Sequence, residues 1–186
     1  GLHVFSGDKL DVGNVYYGVG NLEASCDGFE ITVHGKGSHG ALPQMSIDPI
    51  NVAAHIHTAL QEIIAREVNP GATCVITVGQ LLGGTANNII PPTATLRGTV
   101  RSFSDEDRKL MVQRLPEVAE NIAKAFRATA EVKWDYNIPA LGCDETLTNE
   151  FLGYLKDMPE DVKFSPSWPI TGSEDFALVS EKVPSA

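Results

Sequence analysis

Between residues 28 and 136 the apolar pattern alternates between two periods in a fixed order: strand, helix, strand, strand, helix, strand. Few folds can bury that order. In GFEITVHGK (28–36), Phe29, Ile31 and Val33 face one way, and Glu30, Thr32 and His34 the other, which predicts a half-buried strand. Asp48 followed by Pro49 is a favoured helix start. Ile50, Ala53, Ala54, His57, Leu60, Ile63 and Ile64 then mark an apolar stripe, until Asn69-Pro70-Gly71 ends it. Two β-branched runs, TCVITVGQLLGG and TATLRGTVRSF, flank a Gly-Gly-Thr-Ala-Asn-Asn loop and Pro91-Pro92, and read as an antiparallel pair. Ser104 with Asp107 resembles a capping box. A second stripe follows through Met111, Leu115, Val118, Ile122, Ala125 and Phe126, with Pro116 expected to kink it. TAEVKWDY supplies the last strand. This order predicts an α+β, ferredoxin-like domain: a four-stranded antiparallel sheet with two helices on one face.

The flanks do not belong to that unit. Residues 11–20 read as a strand. Residues 144–157 read as a helix, followed by a proline-rich loop and then GSEDF leading into a short helix. We therefore expect three segments: 1–25 and 137–186 as parts of a host domain, and 26–136 as a domain inserted into it. The chain opens GLHV and closes EKVPSA, and we expect the protein to continue past both ends. A self-contained ferredoxin-like binding or dimerisation module is the alternative.

Across 186 residues the formal net charge is −10, which disfavours nucleic acid and anionic membrane surfaces as partners. No apolar run approaches the ~18 residues that span a bilayer. The three cysteines are widely spaced and odd in number, so neither a disulfide framework nor a structural zinc site is expected, and a reducing cytoplasm is.

The residues that could carry chemistry are few. His39 sits in the turn Gly37-Ser38-His39-Gly40, where the glycines let the backbone bend; its imidazole is either an exposed loop group or a donor to an oxyanion. Asn88, beside Asn87, offers an amide that donates and accepts, or else only tolerates an awkward backbone conformation. Arg101 on a strand suits bidentate carboxylate binding or a surface ion pair, and Arg97 on the same side competes with it. His3 is a lone histidine, a residue more often structural than a ligand. His55 and His57 cannot share a helix face, which excludes a helical metal pair. Gly172-Ser173-Glu174-Asp175-Phe176 is either an ordinary cap or an anion site at a helix start. HExxH, GxSxG and P-loop signatures are absent from the sequence.

GLHV, FEITVHGKGSHGALP, SIDPINVAAHI, GGTANNIIP, GTVRSF and GSEDF, in this order, resemble the metal-dependent amidohydrolases related to aminoacylase, hippurate hydrolase and the plant hydrolases of indole-acetyl amino acids. The resemblance covers nearly the whole chain. It implies a ferredoxin-like lid and dimerisation domain set into an α/β catalytic domain with two divalent ions (zinc, manganese, cobalt or nickel), and hydrolysis of the amide bond of N-acyl or aryl-acyl amino acids. It implies that His3 is a metal ligand and that His39 polarises the scissile carbonyl in the partner subunit's site. Asn88 and Arg101 would hold the substrate, the arginine by its carboxylate, and Gly172 and Ser173 would line the cleft. The family's Cys-Gly-His-Asp segment, its Glu-Glu pair and a further histidine are not in these residues, and Gln44 stands where many relatives place a histidine. The chain by itself is thus expected to be inactive and to hold no catalytic metal tightly.

Overall fold

The computed structural model describes residues 3–4, 12–155 and 162–186. They fall into two units, Cys26–Asn137, and Gly1–Ser25 together with Ile138–Ala186. In chain order the strands are β1 (Asn14–Tyr17), β2 (Gly20–Glu23), β3 (Cys26–His34), β4 (Ser38–His39), β5 (Cys74–Gly83), β6 (Ile89–Ile90), β7 (Thr93–Ser102), β8 (Thr129–Ile138), β9 (Leu141–Cys143) and β10 (Lys163–Pro166). The helices are α1 (Pro49–Glu62), α2 (Asp105–Ala125), α3 (Glu145–Leu155) and α4 (Ala177–Ser180).

In the unit Cys26–Asn137, a four-stranded antiparallel sheet runs in the order β5-β7-β3-β8, the ferredoxin-like arrangement. The alternation predicted for β3 holds: Phe29, Ile31 and Val33 are buried, as are Leu96 and Val100 on β7. The two helices cover that face. Asp48 caps α1 by accepting from the N–H groups of Ile50 (2.9 Å) and Asn51 (3.3 Å). Ser104 caps α2 by accepting from Asp107 N–H at 3.3 Å.

The buried stripes differ from the predicted ones. On α1 the buried residues include Val52, Ala53, Ile56 and Leu60, while Ala54 and His57 are exposed. The helix is rotated so that β-branched Val52 and Ile56 meet the sheet. On α2 the buried residues are Met111, Leu115, Ala119 and Ala123, whereas Val118 and Ile122 are only half-buried and Ala125 is exposed. The helix runs uninterrupted through Pro116, which forgoes one backbone hydrogen bond. After Glu62 the chain widens into a π-helical turn, Ile63–Glu67, before Asn69-Pro70.

Two polar links fasten this layer. Arg108 at the start of α2 donates from Nε and Nη2 to both carboxylate oxygens of Asp27 (2.8 and 2.7 Å), and the Asp27 side chain is 4% exposed. Arg114 donates to Glu67 at 2.6 and 3.0 Å and also to Glu117, tying α2 to the π turn.

In the other unit, β1 pairs parallel with β10, and β2 pairs antiparallel with β9. The strand read within 11–20 is β1, and a second, β2, follows it from Gly20, whose φ of +79° favours glycine. Ile170 continues alongside Glu23 as an isolated bridge. Asp144 caps α3 by accepting from Leu147 N–H at 2.8 Å.

Asp27→Ala removes both hydrogen bonds that Arg108 makes to this buried carboxylate and should cost about 3–5 kcal/mol of the stability measured by denaturant unfolding. A loss under about 1 kcal/mol, the size for a surface pair, would show that water reaches the arginine.

Candidate functional site

His39 and Asn88 lie some fifty residues apart in sequence and side by side in space. Strand β4 pairs with β6 in the register Ser38↔Ile90 and His39↔Ile89. One step on, Gly40 N–H donates to the carbonyl of Asn88 at 2.8 Å. The backbone that meets the His39 turn is thus that of Asn88, not Asn87. Among the described residues Arg127 is the only non-glycine with a positive φ, so Asn88 is not there to tolerate an awkward backbone.

The glycines of this turn act by their lack of side-chain bulk. None of Gly35, Gly37 and Gly40 has a positive φ. Each lies against a backbone carbonyl instead. A Cβ would sit 2.2 Å from Ile47 O at Gly35, 2.9 Å from Ile90 O at Gly37, and 2.9 Å from Asn88 O at Gly40. Glycine is needed for close approach of two chain segments, which is what brings the histidine and the asparagine together.

The imidazole has a defined orientation. Ala41 N–H donates to His39 Nδ1 at 3.1 Å, so in the neutral ring the hydrogen is on Nε2. Leu42 N–H donates to His39 O at 2.8 Å, and Ser38 Oγ donates to Leu42 O at 3.2 Å, closing the turn on itself. The side chain is exposed, and its Nε2–H is the donor left to face outward. Leu42, Met45 and Ile89, on the segments that form the turn, are each about half exposed.

Arg101 is on β7 of the four-stranded sheet, not on the two-stranded β4–β6 ladder. It sits opposite Val75 of β5, half-buried, on the polar face shared with Thr95, Arg97 and Thr99. From Thr93, where the His39 turn is anchored through Gly35 N–H to Pro92 O, the strand advances about 26 Å to Arg101. Within one chain, then, His39 and Asn88 come together and Arg101 does not join them. The rival Arg97 is taken: its Nε donates to Glu30 Oε2 at 2.6 Å across the β3–β7 pair. Near Arg101, the Tyr136 ring lies over Gly28, where a Cβ would be 2.4 Å from it. Burial pushes the Tyr136 phenol up, with the neighbouring Cys26 adding to the effect and the charge of Arg101 opposing it.

In the other unit, His3 Nε2 meets Glu174 Oε2 at 3.0 Å, a pairing across 171 residues with no local sequence signal. Gly172 O accepts from Ala24 N–H at 2.9 Å, which holds the Gly172-Ser173 turn to the end of β2. The anion site expected at the following helix start is occupied from within. Phe176 N–H donates to Glu174 Oε1 at 2.8 Å, Ala177 N–H donates to Glu174 O, and α4 is a single turn. No group of three or more His, Cys, Asp or Glu among the described residues can hold a metal ion. What is present fits one corner of such a site: an imidazole backed by an oriented carboxylate. Cys26, Cys74 and Cys143 are free thiols, and burial pushes Cys74 and Cys143 up, away from reactivity. An open cleft lined by Glu67, Asn69, Gly71, Ala72, Glu106, Asp107 and Leu110 contains none of the candidate residues. No helix of the described residues is long and apolar enough to cross a membrane.

Comparison with known proteins adds three findings. The family model of the peptidase dimerisation domain matches residues 25–130. The chain is 40% identical over 187 residues to N-acetyl-L-cysteine deacetylase of Bacillus subtilis (strain 168), and 32% identical over 188 residues to IAA-amino acid hydrolase ILR1-like 2 of Arabidopsis thaliana. Each alignment covers 99% of this chain, but 43% and 42% of those proteins, so the chain spans under half the length of these relatives. Its fold superposes with a TM-score of 0.73 at 33% identity on the crystal structure of Bacillus subtilis YXEP, a dinuclear metal-binding peptidase, covering 95% of this chain and 43% of that one.

A long-range proton–nitrogen correlation spectrum, recorded above the imidazole's titration range, should find His39 in the Nε2–H form. The Nδ1–H pattern would mean that the Ala41 contact does not form.

Proposed function

The chain belongs to the M20 peptidase dimerisation-domain family, and from that premise we propose that it is the lid, with adjoining parts of the catalytic domain, of a metal-dependent amidohydrolase acting on N-acyl or aryl-acyl amino acids. In this reading residues 26–136 are the lid, and 1–25 and 137–186 are pieces of the catalytic domain. The alignments support that division, because they run through both flanks, which a free-standing module would not require. The relatives' names, a deacetylase of N-acetylcysteine and a hydrolase of an amino acid conjugate, support the substrate class.

The observation that carries the proposal is the β4–β6 ladder, which pairs His39 with Ile89 and joins Gly40 N–H to Asn88 O, with His39 Nδ1 engaged by Ala41 and Nε2–H turned outward. That hydrogen is placed to donate to the oxygen of an amide carbonyl as it gains charge. Asn88 adds an amide beside it. Arg101, on a rigid strand, takes the substrate carboxylate. Gly172 and Ser173 line the cleft, and His3 is one metal ligand. When bound, a pair of divalent ions (zinc, manganese, cobalt or nickel) supplies Lewis acidity and an activated water for the hydrolysis.

The separation of His39 from Arg101 shapes the mechanism. In this reading one lid does not close both around a single small molecule, because Arg101 is about 26 Å along β7 from Thr93, beside which the His39 turn is anchored. A two-fold dimer can, with His39 of the partner subunit facing the Arg101 that holds the substrate. The outer edge of β5 suits such pairing: it is the end strand of the sheet and presents Leu81 and Leu82, 42% and 50% exposed. The free cysteines suit a reducing compartment such as the cytoplasm. By itself this chain is inactive and holds no catalytic metal tightly.

Two measurements test this. In the full-length hydrolase, His39→Ala and Arg101→Ala should each lower kcat/KM by about a hundredfold or more, while a mixture of the two variants regains about a quarter of wild-type activity, because half the dimers then carry one intact site. No recovery on mixing would place both groups in the same subunit's site. Sedimentation of the 186-residue chain should show dimers, and a monomer at the highest concentrations would remove the basis for a shared site.

A further inference from the structure

We propose that Ile89 is a specificity-determining residue of the site that His39 serves, part of an apolar wall that receives the acyl group of the substrate. The inference rests on the reading of His39 as the donor to the scissile carbonyl and deepens it, because it assigns which side of the amide bond this turn faces.

Ile89 stands opposite His39 in the β4–β6 ladder. Paired residues of an antiparallel ladder put their side chains on one face, with Cβ atoms about 4.5–5.5 Å apart. The isoleucine is therefore the direct cross-strand neighbour of the imidazole. Its backbone is held on both sides: Gly40 N–H donates to Asn88 O at 2.8 Å, and Gly35 N–H donates to Pro92 O at 2.8 Å. Its side chain is nevertheless 52% exposed. Leu42 and Met45, also about half exposed, ride on the same turn, where Leu42 N–H donates to His39 O at 2.8 Å and Met45 N–H to Leu42 O at 3.0 Å. None of the three belongs to the helix–sheet core. Large apolar side chains thus stand in the open, on hydrogen-bonded backbone, next to one outward-facing polar donor.

The occupant follows from the chemistry of the amide. A donor hydrogen-bonded to its carbonyl oxygen holds the first carbon of the acyl group within about 5 Å of Nε2. That reach matches the spacing across the ladder, so an acyl chain leaving the carbonyl on the Ile89 side meets the isoleucine at once. The substrate's other end carries a carboxylate, which an apolar wall would strip of water without an answering donor. The acyl end is uncharged and gains by covering exposed isoleucine. Each methylene moved from water onto apolar surface is worth about fourfold in affinity. In this account Ile89 touches the acyl chain and not the reacting atoms, so it sets which substrates are preferred.

The test uses the full-length hydrolase and measures kcat/KM for N-acetyl, N-butanoyl and N-hexanoyl derivatives of one amino acid. Ile89→Ala should lower the hexanoyl-to-acetyl ratio by roughly tenfold, because three carbons of the wall are gone. Ile89→Val, which keeps the branched strand residue and serves if the alanine variant fails to fold, should lower it by about fourfold or less. With the acyl group held constant and the amino acid varied, the ratios should stay those of the wild type. An unchanged hexanoyl-to-acetyl ratio in both variants would overturn this inference alone, and so would an equal loss on all three substrates, which would make Ile89 a prop for the turn. Altered preference among amino acids would overturn it by placing Ile89 at the other end of the substrate. Dissociation of the Ile89→Ala dimer in sedimentation would overturn it by making the wall a contact between subunits. Undiminished hydrolysis in His39→Ala would overturn the reading of His39 as the carbonyl donor, and this inference with it.

Discussion

Phe29, Ile31 and Val33 on one strand, and Leu96 and Val100 on its neighbour, project to a single side of the sheet, and that side must be kept from water. Two helices do this. Burying such side chains contributes about 1.5–3 kcal/mol each, so the covered face dominates the energetics of the unit. The consequence for function is on the other face. Because every second residue points away, Thr95, Arg97, Thr99 and Arg101 form a polar row on a rigid strand. A guanidinium placed there has a backbone that does not move with the loops.

The His39 turn obeys a different constraint. It is no part of the helix–sheet core, and its position comes from close backbone approach at three glycines and from a two-residue ladder with β6. Such an arrangement holds a side chain at the rim of a domain, exposed and oriented by its neighbours' amides. That suits a group whose partner lies outside its own chain. The unit therefore offers two kinds of support: a stiff strand of the four-stranded sheet for Arg101 and a glycine-stitched turn on the β4–β6 ladder for His39 and Asn88.

Charge pairs sort the remaining candidates. Arg97 is paired with Glu30 at 2.6 Å across the β3–β7 ladder. Arg108 and Arg114 are committed to Asp27 and Glu67 and hold helices in place. Glu174, in the other unit, spends one oxygen on a backbone amide and the other on His3. In each case what a charged group can do is decided by whether a fixed partner already answers it.

Much of the fold was legible from residue order. Strand alternation is a period of two and caps are contacts within three residues, so β3, β7, Asp48 before α1 and Ser104 before α2 could be read without knowing what packs where. The resemblance of six ordered segments pointed to His39, Asn88 and Arg101 for similar reasons of local pattern. What residue order could not decide is everything that depends on rotation, register or distance. The stripe of α1 turned from His57 to Ile56, because only the sheet opposite selects which flank of an amphipathic helix is buried. The glycines around His39 serve close approach, because the carbonyls they touch come from residues elsewhere in the chain. The Arg97–Glu30 pair exists because the β3–β7 register places Glu30 across from Arg97. Glu174 reached His3 over 171 residues, a contact that exists only once β2 and the 170–176 segment have been brought together. Local periodicity and capping belong to the sequence by itself; pairing between distant segments belongs to the packed structure, since only burial makes one of many possible partners the stable one.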